Sequence, residues 1–175
     1  MHFRCESDET VILTDSLATD TSTLKRLFSC FPSGVTGLCA TVGGVPVGMA
    51  ASAFTFASME PPIGTVCIQK TSSTWPLLRS ASRLGLSILS SGHETICRDL
   101  ASKDGDRFRN ASWKATASGA VLLEQSSAAM ECSVEREVEA GDHVVVLLNI
   151  HAVTFNPEAD PLVFHGSRFR QLLKV

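Results

Sequence analysis

The run Val35-Thr36-Gly37-Leu38-Cys39-Ala40-Thr41-Val42-Gly43-Gly44-Val45-Pro46-Val47-Gly48-Met49-Ala50-Ala51 decides what kind of fold this chain can adopt. Its two halves, Val35–Val42 and Val45–Ala51, are rich in small and β-branched residues and read as strands. The Gly43-Gly44 pair between them supplies the positive φ angles that a two-residue hairpin turn needs. The reading extends outward on both sides. Ile63–Gln69 and Leu84–Leu89 are further apolar strands. Met130, Cys132 and Val134 alternate with Glu131, Ser133 and Glu135, the pattern of a strand with one buried face. After a turn at Glu139-Ala140-Gly141-Asp142, the nearly continuous apolar run His143–Ile150 predicts a strand buried on both faces. Leu162–His165 and Arg168–Gln171 around Gly166-Ser167 predict a last hairpin.

Helices are few and short. Leu24, Leu27, Phe28 and Phe31 recur at helical spacing behind the capping candidates Asp20 and Ser22. Ser73 is a candidate N-cap, with Pro76 in the first turn of a helix to about Ala81, and Glu94–Ala101 is another short helix. Strands without long crossover helices point to an antiparallel barrel instead of a doubly wound parallel sheet. Residues 1–20 are polar and unpatterned and read as a loose arm, and 21–175 as one domain.

Composition narrows the function. Apolar residues are 44% and charged ones 19%, a globular balance. The net charge is −3 and the 15 basic residues are scattered, so no footprint for nucleic acid is visible. No apolar run reaches the roughly 20 residues of a membrane helix. The N-terminus, with Arg4, Glu6, Asp8 and Glu9, lacks a signal pattern, so the expected location is the cytoplasm. The 6 cysteines are widely spaced without CxxC, which reads as reduced thiols. There is no GxGxxG, P-loop or GxSxG. His93 and Cys97 are the one i, i+4 pair able to share a metal, too few ligands for a metal site.

The positive signal is Gly48-Met49-Ala50-Ala51-Ser52-Ala53-Phe54-Thr55-Phe56-Ala57-Ser58-Met59-Glu60-Pro61-Pro62. Small side chains let a ligand lie against the backbone, where amide groups become its hydrogen-bonding edge. The hydroxyls of Ser52, Thr55 and Ser58 suit a flat heterocycle and a phosphate alike. Other motifs follow in order: Phe31-Pro32-Ser33-Gly34-Val35-Thr36 before this segment, then Lys70-Thr71-Ser72-Ser73-Thr74, Asp106-Arg107-Phe108, Glu131-Cys132, Gly141-Asp142-His143 and Pro161-Leu162-Val163-Phe164-His165-Gly166 after it. Together they span roughly residues 22–172 and resemble the flavin reductase family.

The resemblance implies an FMN-binding split β-barrel, antiparallel and Greek-key-like, with short peripheral helices. It implies hydride transfer from NADH or NADPH to FMN, or FAD, and delivery of the reduced flavin to a separate flavin-dependent monooxygenase. It also implies a homodimer with the flavin near the subunit interface. Ala51, Ser52, Ala53, Phe54 and Thr55 would hold the flavin ring edge. Ser58, Lys70, Ser72, Ser73 and Thr74 would supply hydroxyls, one charge and helix N-terminal amides to the phosphate. By the same resemblance His143 stands beside the nicotinamide and is the catalytic candidate, oriented by Asp142. Ser33, Val35, Phe164 and His165 would complete the nicotinamide wall. Taken singly, Ser72-Ser73-Thr74 also fits a helix cap, Phe54 a core aromatic and His143 a turn residue. Two other activities fit the same resemblance: a flavoenzyme with tightly held flavin that reduces an organic substrate, and a non-enzymatic flavin- or haem-binding module.

Overall fold

The structure, a computed structural model, describes residues 20–173. The arm expected over residues 1–20 therefore lies outside it, except for Asp20. Asp20 caps helix α1 (Thr21–Ser29): its carboxylate accepts the backbone N–H groups of Ser22 and Thr23, each at 3.1 Å. Of the two capping candidates the aspartate holds the position, because its two oxygens serve two orphan donors at once. These bonds, led by the Ser22 hydroxyl, lower its pKa to about 2.

The expected hairpin forms as strands β2 (Thr36–Val42) and β3 (Val45–Ala51), after the short β1 (Ser33–Gly34). Gly43 and Gly44 have φ of 59° and 83°, the conformation anticipated for the pair. Then come β4 (Phe54–Met59), β5 (Pro62–Gln69), helix α2 (Trp75–Leu78), β6 (Leu84–Ile88), a single 3-10 turn at Ser91–His93 and helix α3 (Glu94–Ala101). The second half contains β7 (Trp113–Ala115), β8 (Val121–Leu123), the long pair β9 (Ala128–Ala140) and β10 (His143–Phe155), and the hairpin β11 (Val163–His165) and β12 (Arg168–Arg170). Phe54–Met59 is a strand that the sequence reading treated only as a ligand segment, and β7 and β8 were not anticipated.

Among the described residues every strand pairing is antiparallel. The main sheet has seven strands in the order β3-β2-β6-β9-β10-β5-β4. β3 and β4 stand at opposite ends of that order, yet only Ser52 and Ala53 separate them in the chain. So short a link forces the sheet to curl until its ends nearly meet, and Cys67 N donates to Ala53 O (3.0 Å) where the β4–β5 ladder runs on into the link. The fold is thus a split barrel, and Ser52-Ala53 lies at its seam.

Leu38, Leu86, Met130, Val146 and Leu148 fill the barrel interior, closed at one end by Trp75 and Leu78 of α2. A second apolar layer, with Cys39, Leu89, Ile96, Leu100, Phe108 and Leu123, packs α3 and β8 on the outside of the barrel. Because side chains alternate along a strand, β2 sends Leu38 and Ala40 inward and Cys39 outward, and is buried on both faces. This corrects the expectation for His143–Ile150. In β10 only Val144, Val146 and Leu148 are fully buried, while Val145 and Leu147 are half-buried. The outer layer covers the β2 and β6 side and stops short of β10.

Candidate functional site

An open cavity of about 630 Å³ lies at the seam, within the range of roughly 300–1,000 Å³ typical of ligand sites. It is lined by Ala50–Ala53, by Cys67–Gln69 of β5, by Thr71–Thr74, by Leu100, Ala101, Lys103 and Arg107, and by His143. Small residues make the shelf shallow, as anticipated. Its usable backbone edge is narrower than Ala51–Thr55. Ala51 O accepts the Thr36 hydroxyl (2.9 Å), Ala53 O accepts Cys67 N, and Thr55 is paired with Thr65 in the sheet. Among the described residues, the N–H and C=O of Ser52 and the N–H of Ala53 are left for a ligand.

The predicted phosphate wall divides. Ser72, Ser73 and Thr74 all face the cavity. The N-cap of α2 is Thr74, not Ser73 as expected, and its own side chain makes no capping bond; the Trp75 N–H is accepted instead by Ser72 Oγ (3.2 Å). The helix is a single turn with Pro76 inside it, and it ends at Leu78 instead of Ala81. Thr74 is almost fully buried. Lys70 does not line the cavity; it is paired with Glu139. Ser58 and Thr55 lie along β4, away from the lining residues. Phe54 packs on the barrel core and meets Phe56 edge to face at 5.1 Å. Its ring occupies the space over Gly64, where a Cβ would come within 2.8 Å of it.

Two cations line the cavity, Lys103 and Arg107; the sequence reading quoted Arg107 in a motif but did not place it in the site. Its Nη1 donates to Gly48 O (2.9 Å) and Thr74 Oγ1 (2.6 Å), leaving Nη2 and Nε for a ligand. The signal that could have found it is an arginine in a charged polar loop, residues 102–112, of a chain whose expected phosphate-bearing ligand calls for a counter-charge. Asp99, 5% exposed, fastens that loop. It accepts from Arg109 Nη2 (2.6 Å), Arg109 Nε (3.1 Å) and Asn110 Nδ2 (2.7 Å), and these donors hold its carboxyl below the ordinary range.

His143 opens β10, where Gly141 with φ of 63° turns the chain. Its Nδ1 lies 2.8 Å from Asp142 Oδ1. An ionised carboxylate only accepts, so Nδ1 carries the hydrogen and Nε2 is the acceptor of the neutral ring. The same bond is the main cause that lowers the Asp142 pKa. A smaller apolar cavity of about 280 Å³ shares Ala50, Ala51, Ser52 and Ala101 with the large one. It contains Val35 and Phe164 of the expected nicotinamide wall, with Phe169 and Arg98, whose guanidinium lies 5.1 Å from the Phe169 ring centroid. Ser33 and His165 line neither cavity. Both pair within the β1-β11-β12 sheet.

A split barrel of antiparallel strands, with a backbone-edged shelf at the seam, an anchored guanidinium on one side and an imidazole on the other, is a class of fold built to hold a flat, anionic heterocycle. Residues 28–173 match the family model of the flavin reductase like domain, and the chain belongs to that family. It is 33% identical over 157 residues to the actinorhodin polyketide dimerase of Streptomyces coelicolor, covering 89% of each chain. With the reductase subunit HsaB of a flavin-dependent monooxygenase from Rhodococcus jostii it shares 29% identity over 87% of this chain and 78% of the relative. The solved NADH:FAD oxidoreductase of Streptomyces globisporus, in complex with NAD and FAD fragments, superposes with a TM-score of 0.83 at 33% identity, covering 88% of this chain and 93% of that one.

Proposed function

We propose that this chain is an NAD(P)H:flavin oxidoreductase: reduced nicotinamide delivers a hydride to FMN or FAD, and the reduced flavin passes to a separate flavin-dependent monooxygenase. The observation that carries the reading is the convergence of Ser52, Arg107 and His143 on one open cavity. Family membership and the flavin and nicotinamide named for the Streptomyces globisporus structure support it.

The residues present fit a flavin. Ala50–Ala53 leave room for a flat ring, and the free backbone groups of Ser52 and Ala53 match its polar edge. The hydroxyls of Ser72 and Ser73, with Arg107 and Lys103, suit the phosphate. A bound flavin supplies the redox chemistry. The protein's part is to bring two rings together in a fixed relation. Asp142 holds the His143 ring, and Nε2 is then an acceptor for the nicotinamide carboxamide N–H. Val35 and Phe164 provide an apolar surface beside the shelf.

Two further points belong to this reading. Leu27, Phe28, Phe31, Phe56, Met59 and Phe155 are 60–97% exposed in a single copy, which favours a homodimer that covers part of this surface. The free thiols of the described residues suit a reducing compartment such as the cytoplasm.

The test is anaerobic mixing of the protein with NADH and free FMN or FAD, following loss of visible flavin absorbance. Multiple turnovers are expected. A protein that holds flavin tightly but does not turn over the free molecule would overturn the supply role, and one that oxidises no NADH would overturn the enzyme. His143→Ala should slow reduction about 100-fold, the order of effect of misplacing a reactant; wild-type rates would remove that histidine from the mechanism.

A further inference from the structure

Helix α3 carries a charge where a helix disfavours it. Asp99 lies in the last turn of Glu94–Ala101, at the negative end of the helix dipole, and it is almost fully buried. Burial of a carboxylate is unfavourable unless donors surround it. The donors that do so, Arg109 Nη2, Arg109 Nε and Asn110 Nδ2, all belong to the loop that follows the helix. The placement of Asp99 therefore serves the loop and not α3 itself.

Lys103 and Arg107 line the large cavity from this loop. Its near end is tied at Ser102, whose Oγ accepts Asp104 N (3.2 Å) and donates to Asp104 O (2.8 Å). Its middle is tied at Phe108, whose N–H donates to Asp106 Oδ1 (2.9 Å) and whose ring is buried in the outer apolar layer. Asp99 fixes the far end, two residues beyond Arg107, so the guanidinium is delivered to Gly48 O and Thr74 Oγ1 by a loop already in place. It also neutralises Arg109, the third cation of the loop, which Asp106 attracts as well. The positive charge that remains is the pair at the cavity. Cations held before the ligand arrives lose less binding free energy to ordering.

We propose that Asp99 is a positioning residue that sets the preference of this chain for phosphorylated flavins over riboflavin, acting through Arg107 and Lys103, a role that rests on the flavin reductase reading above. Asp99 lines neither of the two cavities described above, so its replacement removes no ligand contact. Arg109 and Asn110 are exposed, and water takes the place of the lost acceptor, so the variants fold. The experiment is steady-state reduction of FMN, FAD and riboflavin by NADH, for the wild type, Asp99→Leu and Asp99→Asn, below the melting midpoint of each. Riboflavin has the same ring and ribityl chain without the phosphate. Wild-type KM for the better of FMN and FAD should be at least about tenfold below that for riboflavin. In Asp99→Leu that KM should rise about tenfold, while kcat for every flavin and the riboflavin KM stay within about twofold of wild type. Asp99→Asn keeps the shape without the charge; it should show a smaller rise in the same pattern, and it carries the test alone if the leucine variant does not fold.

An equal rise in KM for riboflavin and the phosphorylated flavins, a fall in kcat, or an unchanged KM would each overturn the role of Asp99 while the reductase reading stands. Equal wild-type KM values with and without the phosphate would overturn it too, because no phosphate grip would exist to be positioned. Failure of the wild type to reduce any of the three flavins would overturn both.

Discussion

Replacing Arg107 by methionine keeps the aliphatic stem and removes the guanidinium. The structure lets the cost be worked out. Hydrogen bonds to a charged donor contribute about 1.5–3 kcal/mol each, and Arg107 makes one to Gly48 O and one to Thr74 Oγ1. The first acceptor is a strand carbonyl that water can reach once the loop loosens. The second belongs to a residue 6% exposed, whose hydroxyl would be stranded at about 1–3 kcal/mol. Allowing for the half-buried, partly solvated guanidinium, the expected loss is about 3 kcal/mol. For a domain of this size, at about 2–4 °C per kcal/mol, the midpoint of thermal unfolding should fall by about 6–12 °C. Circular dichroism melts without flavin would measure it, and Arg107→Met in a Thr74→Val background supplies the decisive comparison. With the hydroxyl already gone, the arginine should matter less by about 1–2 kcal/mol. A melt within 2 °C of wild type, or costs that simply add, would refute the view that this guanidinium ties β3 to the start of α2.

Two other outcomes follow from the geometry. In Gly85→Ala the new Cβ would stand 2.0 Å from Val121 O, a backbone atom of β8 that cannot rotate away. The loss should reach or exceed the upper end of the usual overpacking cost, about 3 kcal/mol in urea unfolding, whereas Gly92→Ala, which meets nothing within 4 Å, should be near neutral. The depressed Asp20 pKa means its carboxylate cap is at full strength above the ordinary value of 3.8 and is lost as pH falls toward about 2. An NMR titration of the Ser22 and Thr23 amides should show that midpoint and Asp20→Asn should lack it; a midpoint at 3.8 would remove the cap.

The strands that were legible are those whose side chains answer to a single periodic pattern. Met130–Glu135 alternated because one face of β9 meets the core, and Gly43-Gly44 announced its turn because few other residues adopt two successive positive φ angles. β7 and β8 were illegible for the opposite reason. They are three residues each, and what orders them is Val121 and Leu123 packing on strands distant in sequence. Phe54–Met59 looked like ligand surface because its small residues serve a barrel edge and a shelf equally well. The continuous run of β10 misled because apolar residues alone do not say how far an outer layer extends.

In the site, Ala51–Ala53, Ser72–Thr74 and His143 come together as the ordering of motifs suggested, since short local segments carry them. Arg107 and Asp99 did not announce themselves. Their importance arises from contacts between residues 10 to 59 positions apart, which one sequence does not display. Lys70 was the nearer charge by sequence, but Glu139 of β9 captures it from across β10.

The dipeptide Ser52-Ala53 joins the first and last staves of the barrel, and it also offers the hydrogen-bonding edge of the cavity. Its length therefore sets the circumference of the fold and the depth of the binding surface together. An insertion there would widen both, so drift in chain length must be taken up elsewhere, at turns such as Gly43-Gly44 that touch neither. Occupancy of the shelf should accordingly resist opening of the seam, coupling ligand loading to the mechanical closure of the barrel.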